Sequence, residues 1–390
     1  MGDKFEYAKA PGSVRARRLS IFKDRRQAIG KFRSGLKSIK HLYLGGHVIM
    51  SNMERGCCIG AGFDTAISLL IIGNGFDLHH GLATSYSDYH KWLKVHDKQV
   101  AKDFDSFVYA VECSDFENSL DCTRGSARED NPRWCSLEES LGIEWDDLCY
   151  ETLDHTYPDI TEDNPGWDDF WIELHMRLEY LKKLTRDHFR EWVESIDVSK
   201  VKPVLDLPDA ASFITFNYTP TLEYVYGVRP DRILHIHGCV LDKNELLQFG
   251  SPDNNPFELQ KMLEDKYGMD DFKYGMDDFY GATIQQGVTV TCDRCADTWK
   301  NIEGNYDALT QFLDTLAKID TVIIMGNSFD KVDKPYYRDV LAPRYRDAEW
   351  VFCEHDPSES KRYDIDEFCR DLAITNYRIT SYAEFDKRLD

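Results

Sequence analysis

Four short stretches carry groups suited to holding a nucleotide-like ligand. Gly73-Asn74-Gly75-Phe76-Asp77 is a tight glycine turn. Asn217-Tyr218 offers an amide side chain, and His235-Ile236-His237-Gly238 offers two imidazoles. Gly326-Asn327-Ser328 is a second glycine turn with a hydroxyl. Glycines let a backbone approach a phosphate, and the amides that follow can donate to it. Taken singly, each stretch also has a plainer reading. Leu78 stands where the third glycine of a G-x-G-x-x-G turn belongs. Asn217 suits an ordinary turn, Asp77 a local cap, and one histidine a structural role. A near copy, Gly60-Ala61-Gly62-Phe63-Asp64, follows no convincing strand.

What gives the four stretches weight is the element before each. Five apolar runs read as strands: Ile67–Gly73, Ser212–Asn217, Ile233–Gly238, Thr321–Gly326 and Trp350–Glu354. They are rich in β-branched and aromatic residues and lack alternation, as strands covered on both faces do. This predicts an α/β chain with a mostly parallel, Rossmann-like sheet. Ligands of such sheets bind at the carboxyl ends of the strands. The first four runs each end in one of the four stretches, so one crevice would collect them all. Alternation within a strand places His235 and His237 on the same side, so spacing does not choose between them.

About 140 residues separate the first two runs, and we read roughly 90–205 as a helical insertion within a main domain of 66–390. Ser85 and Asp88 have the spacing of a helix-capping box. Within Asp168–Ile196, residues Phe170, Leu174, Leu178, Leu181 and Leu184 recur at three- and four-residue steps, which predicts an amphipathic helix. Glu112–Pro132 reads as a polar loop. The heptad KYGMDDF occurs twice in tandem, at Lys266–Phe272 and Lys273–Phe279, which we read as a duplicated surface loop near the site.

The net charge is -22, so the global field does not favour nucleic acid. Residues 1–50 hold twelve Lys/Arg against three Asp/Glu, a local charge of +9. We expect residues 1–65 to be a basic, poorly ordered extension. The eleven Cys lack regular spacing, and we find neither a secretory leader nor an apolar run long enough for a membrane span. A reduced, cytoplasmic protein is expected.

IIGNGFDLHHGLATSYSDY (71–89), FITFNYTPTLEYVYG (213–227), ILHIHG (233–238) and VIIMGNSFDKVDKPYY (322–337) resemble the motif blocks of AbiH abortive-infection proteins. Trp134…Leu137-Glu138…Leu141-Gly142 and Glu191-Trp192-Val193 resemble pieces of that family's insertion. The same blocks are similar to those of sirtuin-like defence NADases. The resemblance implies a sirtuin-like fold and hydrolysis of NAD+ as substrate, with no separate cofactor. It matches Asn217 and His237 to the catalytic Asn and His. It matches Gly73, Asn74, Gly75, Phe76 and Asp77 to a phosphate- and ribose-binding loop, and Gly326, Asn327 and Ser328 to a late ribose–adenine turn, with Asp333 nearby. Asn74 and Phe76-Asp77 depart from the sirtuin turn. Only one Cys-x-x-Cys pair, Cys292 and Cys295, stands where deacylating sirtuins carry a four-Cys zinc module, so we expect two ordinary thiols and no metal. In the implied reaction Asn217 holds the ribose or the water, and His237 accepts a proton. An NADase needs restraint in its host, so a regulatory protein partner or a homo-oligomer is expected. The alternative is a sensor that binds NAD+, ADP-ribose or another nucleotide without cleaving it. A nuclease fits poorly, because no carboxylate cluster stands among these motifs.

Overall fold

In the computed structural model, the five apolar runs and one further strand form one sheet of six parallel strands. The structure describes residues 67–105, 137–142, 160–161, 164–165, 169–266, 278–329, 331–355 and 358–383, with isolated positions between 145 and 152. The strands are β1 (Ile67–Ile72), β2 (Ser212–Thr215), β3 (Ile233–His235), β4 (Ile319–Met325), β5 (Glu349–Glu354) and β6 (Tyr377–Ser381). Their order across the sheet is β3-β2-β1-β4-β5-β6. The chain winds outward from β1 in one direction and from β4 in the other. The reversal point of a doubly wound sheet therefore falls between these two central strands.

Alternate residues of β1 show why the runs lack polar positions. Leu69 and Ile71 join Ile214, Ile324 and Phe352 in a core on one face. Leu70 and Ile72 join Phe213, Ile323 and Val351 in a core on the other. Each fully buried aliphatic side chain contributes about 1.5–3 kcal/mol of transfer free energy, so both faces hold the strand in register. The expected β2 and β3 are shorter than their apolar runs, ending at Thr215 and His235. The edge strand β6 (YRITS) went unread because three of its five residues are polar or charged and its apolar run is short.

The main helices are α1 (Asn74–His79), α2 (Tyr86–His96), α3 (Asp169–Lys182), α4 (His188–Ser195), α5 (Thr221–Tyr226), α6 (Pro256–Lys266), α7 (Asp278–Asp297), α8 (Tyr306–Asp314) and α9 (Glu359–Asp371). The capping box forms as expected. The Ser85 Oγ accepts from the Asp88 amide at 3.1 Å, and the Asp88 carboxylate accepts from the Ser85 amide at 3.3 Å. The amphipathic segment is helical from α3 through a π turn at Lys183–Asp187 into α4. Leu174, Leu178, Leu181 and Leu184 all face a core of their own. That core also takes Leu259 and Leu263 of α6 and Val288 and Cys295 of α7. The helical layer thus draws on two separate stretches of chain, before β2 and after β3. The basic extension 1–65, the loop Glu112–Pro132, the Phe170 side chain and nearly all of the heptad duplication lie outside the described residues.

Candidate functional site

The turns after β1 and β4 meet at the reversal point and lock together. The Gly73 amide donates to the Met325 carbonyl at 2.9 Å, and the Gly75 amide donates to the Gly326 carbonyl at 2.8 Å. A Cβ on Gly73 would stand 2.6 Å from the Gly326 oxygen, and one on Gly75 would stand 2.7 Å from the Gly326 Cα. Gly326 itself has φ of 65°, and its Cβ would stand 2.3 Å from the Phe76 nitrogen. The glycine spacing, read from sequence as an approach to phosphate, here serves the contact of two backbones. The Gly75 amide is engaged by that contact. Gly326→Ala is expected to destabilise the protein by about 2–4 kcal/mol, combining left-handed backbone strain with overpacking. Urea unfolding would measure the loss.

Above the locked turns lies a cavity of about 450 Å³. The turns and the ends of β2 and β3 form its floor. Its roof comes from the helical layer, with Ser85, Tyr86 and Ser87 at the start of α2 and Phe189, Trp192 and Val193 of α4. Gly73, Asn74, Gly75, Asp77, Asn217, His237, Gly326, Asn327, Ser328 and Asp333 all line it. Phe76 does not. Its ring is buried in the core beneath, 4.5 Å from the His80 ring and 5.7 Å from Tyr226.

Asn217 bridges the first two strands, its Nδ2 donating to the Gly73 carbonyl at 3.2 Å. Its side chain also hydrogen-bonds the Asp77 carboxylate, to which the Thr219 hydroxyl donates from the same turn. Asp77 is buried, and its Oδ1 has no hydrogen-bond partner. Burial raises its pKa to about 6 despite those donors. Asn327 folds onto its own turn, where its Oδ1 accepts from the Phe329 amide at 2.8 Å. Lys361, on α9 at the rim, reaches the Asn327 carbonyl at 3.5 Å and lies 5.1 Å from the centroid of the Phe329 ring.

His237 is 1% exposed and packs edge-on against Phe216, with ring centroids 5.2 Å apart. Its Nε2 stands 3.5 Å from Asp333 Oδ1, within ion-pair range, yet makes no hydrogen bond. Burial and the Lys300 cation hold its pKa well below the usual histidine value, against a backbone hydrogen bond at Phe216. The ring is therefore neutral at pH 7. Strand alternation does not extend to this pair, because β3 stops at His235 and the chain turns. His235 points away from the cavity and pairs with Glu223 at 2.9 Å.

Several residues of the site had no assigned role in the sequence, Lys300 and Glu138 among them. Lys300 follows α7, is 1% exposed, and contacts both oxygens of Glu138 at 3.1 and 3.0 Å and Asp333 Oδ1 at 3.0 Å. Burial works against its charge, but the two carboxylates more than offset this and raise its pKa. Glu138 is raised by burial, against the pull of Lys300 and with a further push from Asp333. Tyr218 donates to the Gln248 carbonyl at 2.9 Å and reaches Glu138 at 3.3 Å. Cys292 and Cys295 do not line the cavity. Burial pushes the Cys292 thiol up to about 12, and the Cys295 thiol donates to the Asn254 carbonyl at 3.1 Å. Among the described residues, one group has metal-ligating types close together, namely Glu223, His235 and Cys239.

The family model described as bacteriophage abortive infection AbiH matches residues 69–354. No curated protein and no solved structure matches the chain.

Proposed function

The chain belongs to the bacteriophage abortive infection AbiH family, a family of phage defence, and from that premise we propose that it acts in this defence by hydrolysing NAD+ to nicotinamide and ADP-ribose. The observation that carries the reading is the His237 imidazole, neutral and with an unpartnered Nε2, on the wall of a cavity that also presents Asn217 and Asp77. A cavity at the reversal point of a doubly wound sheet is where dinucleotides bind. Its volume falls within the range of about 300–1,000 Å³ common to ligand sites.

The chemistry asks little of a general acid. Nicotinamide joins the ribose as a cation and leaves neutral, so the enzyme has to hold the sugar, exclude water elsewhere and stabilise an oxocarbenium-like transition state. Asn217, held by Gly73, positions the ribose or the attacking water. His237 accepts the proton that the water loses as its oxygen bonds to the anomeric carbon. The Asp77 carboxylate, short of one hydrogen bond, favours the positive charge of reactant and transition state. Lys361 at the rim faces the phosphates.

The test is chromatography of NAD+ incubated with the protein beside Asn217→Ala and His237→Ala. Nicotinamide and ADP-ribose are expected from the wild type, with turnover lost in both variants. Turnover that survives both substitutions removes the assignment. The roof favours a second reading, a sensor, because a ligand would touch α2 and α4 directly. Calorimetric binding of NAD+ with no product after long incubation with the partner, whether a regulatory protein or a second copy of the chain, would decide for it.

A further inference from the structure

Behind the Asn217 turn, away from the cavity, three side chains converge from three places. Glu223 lies in the first turn of α5, His235 ends β3, and Cys239 follows the Gly238 turn. One carboxylate oxygen, one imidazole nitrogen and the sulfur all lie within 4.8 Å of one another. Cys239 is 5% exposed, and the Glu223 and His235 side chains are 12% and 13% exposed.

The hydrogen bonds around His235 restrict what can occupy this place. Its Nδ1 stands 3.3 Å from the Asn217 carbonyl oxygen, which only accepts, so Nδ1 carries a proton. Nε2 faces Glu223 Oε1 at 2.9 Å. Burial lowers the His235 pKa, but hydrogen bonds to Cys239 and Glu223 outweigh it and raise it to about 10. A second proton therefore fills this gap without an ion, and a bound cation takes that proton's place. The second Glu223 oxygen is buried without a hydrogen-bond partner, so the carboxylate has capacity to spare.

We propose that Glu223, His235 and Cys239 bind a divalent transition-metal ion of the zinc class. Imidazole, thiolate and carboxylate together suit zinc and its neighbours, whereas calcium and magnesium take oxygen ligands. A tetrahedral ion with bonds of about 2.0–2.3 Å sets its ligands roughly 3.3–3.8 Å apart, so the sulfur needs to close by at most about 1.5 Å, while the Glu223–His235 pair, at 2.9 Å, opens slightly. The Nδ1–H bond to a main-chain carbonyl is the support that ordinarily orients a metal-bound histidine. Three protein ligands leave a fourth position for water. The ion would cross-link α5 to the end of β3 and, through His235, brace the backbone of Asn217. The site stands apart from the NAD+ reading, and its readouts need no turnover.

The test uses the full chain, purified under a non-thiol reductant and titrated with Co2+ and then Zn2+. One equivalent of Co2+ is expected to give a thiolate-to-cobalt charge-transfer absorption that Zn2+ abolishes. Cys239→Ser is expected to lose the band, and Glu223→Gln to weaken binding at least about tenfold. Cys292→Ser should keep both. Zn2+ should raise the melting temperature of the wild type and leave that of Cys239→Ser unchanged. A folded wild type that shows no thiolate–cobalt band overturns the proposal, because a proton then bridges His235 and Glu223. A band that persists in Cys239→Ser overturns it too, since it then belongs to other thiols. Should Cys239→Ser fail to fold, Glu223→Gln decides alone, and unchanged affinity there counts against the site.

Discussion

Lys300→Met is expected to cost about 3–5 kcal/mol of stability at pH 7, the usual result of removing one partner from a buried ion network. The side chain is 1% exposed and holds two carboxylates, Glu138 and Asp333, at 3.0–3.1 Å. Methionine keeps the volume and removes the charge. Glu138 and Asp333 are then left as neighbouring, mostly buried anions without the cation that offset their repulsion. Adding Glu138→Gln and Asp333→Asn removes both charges, so the triple variant should regain much of the loss. The pH dependence has a definite sign. Burial already raises the Glu138 pKa above its ordinary 4.5, and loss of Lys300 raises it further. A carboxyl whose folded pKa lies above its unfolded value binds its proton more tightly when folded, so the stability it confers is lost as pH rises. The deficit of Lys300→Met should therefore be widest at pH 8 and narrow as pH falls toward 4.5. Urea midpoints of the wild type, single and triple variants at pH 5 and pH 8 would measure it. A single variant as stable as the wild type at pH 8 would show that the network carries little of the fold.

Asp77→Asn is expected to act in two directions at once. The pKa of Asp77 rises from 3.8 to about 6 on folding, driven by burial. A rise of that size corresponds to at most about 3 kcal/mol of destabilisation once the group is ionised. It is absent below pH 4, develops between pH 4 and 6, and is complete above. Asparagine keeps an oxygen for the Thr219 and Asn217 donors and carries no charge. At pH 8 the variant should be more stable by about 1–3 kcal/mol, with the difference gone below pH 4. If the carboxylate stabilises an oxocarbenium-like transition state, NAD+ turnover should fall by about 10²-fold or more. A residue that is costly to the fold and kept at the floor of a cavity fits the common trade between stability and activity. Denaturant unfolding at pH 4 and pH 8, with product chromatography, tests both halves. A variant that is less stable at pH 8 would show that the donors around Asp77, and not burial, set its energy.

The sequence alone determined five of the six strands of the sheet and the edge at which its site gathers. Strands buried on both faces must be continuously apolar, so β1, β2, β3, β4 and β5 announce themselves over five to seven residues. Parallel strands send all their carboxyl ends to one side, which brought Gly73, Asn217, His237 and Gly326 into one cavity before any contact was known. The tertiary structure decided everything that depended on residues far apart in the chain. Glu138 and Lys300 are separated by 162 positions, and no periodicity marks a lysine that is buried only because two carboxylates arrive beside it. The choice between His235 and His237 turned on where β3 stops, and strand ends are set by neighbouring turns. The glycines were legible as turns, but their physical purpose, the contact of Gly73 and Gly75 with Gly326, exists only after β1 and β4 have paired. Local pattern records which face of an element is dry; which charge meets which partner is a property of the folded chain.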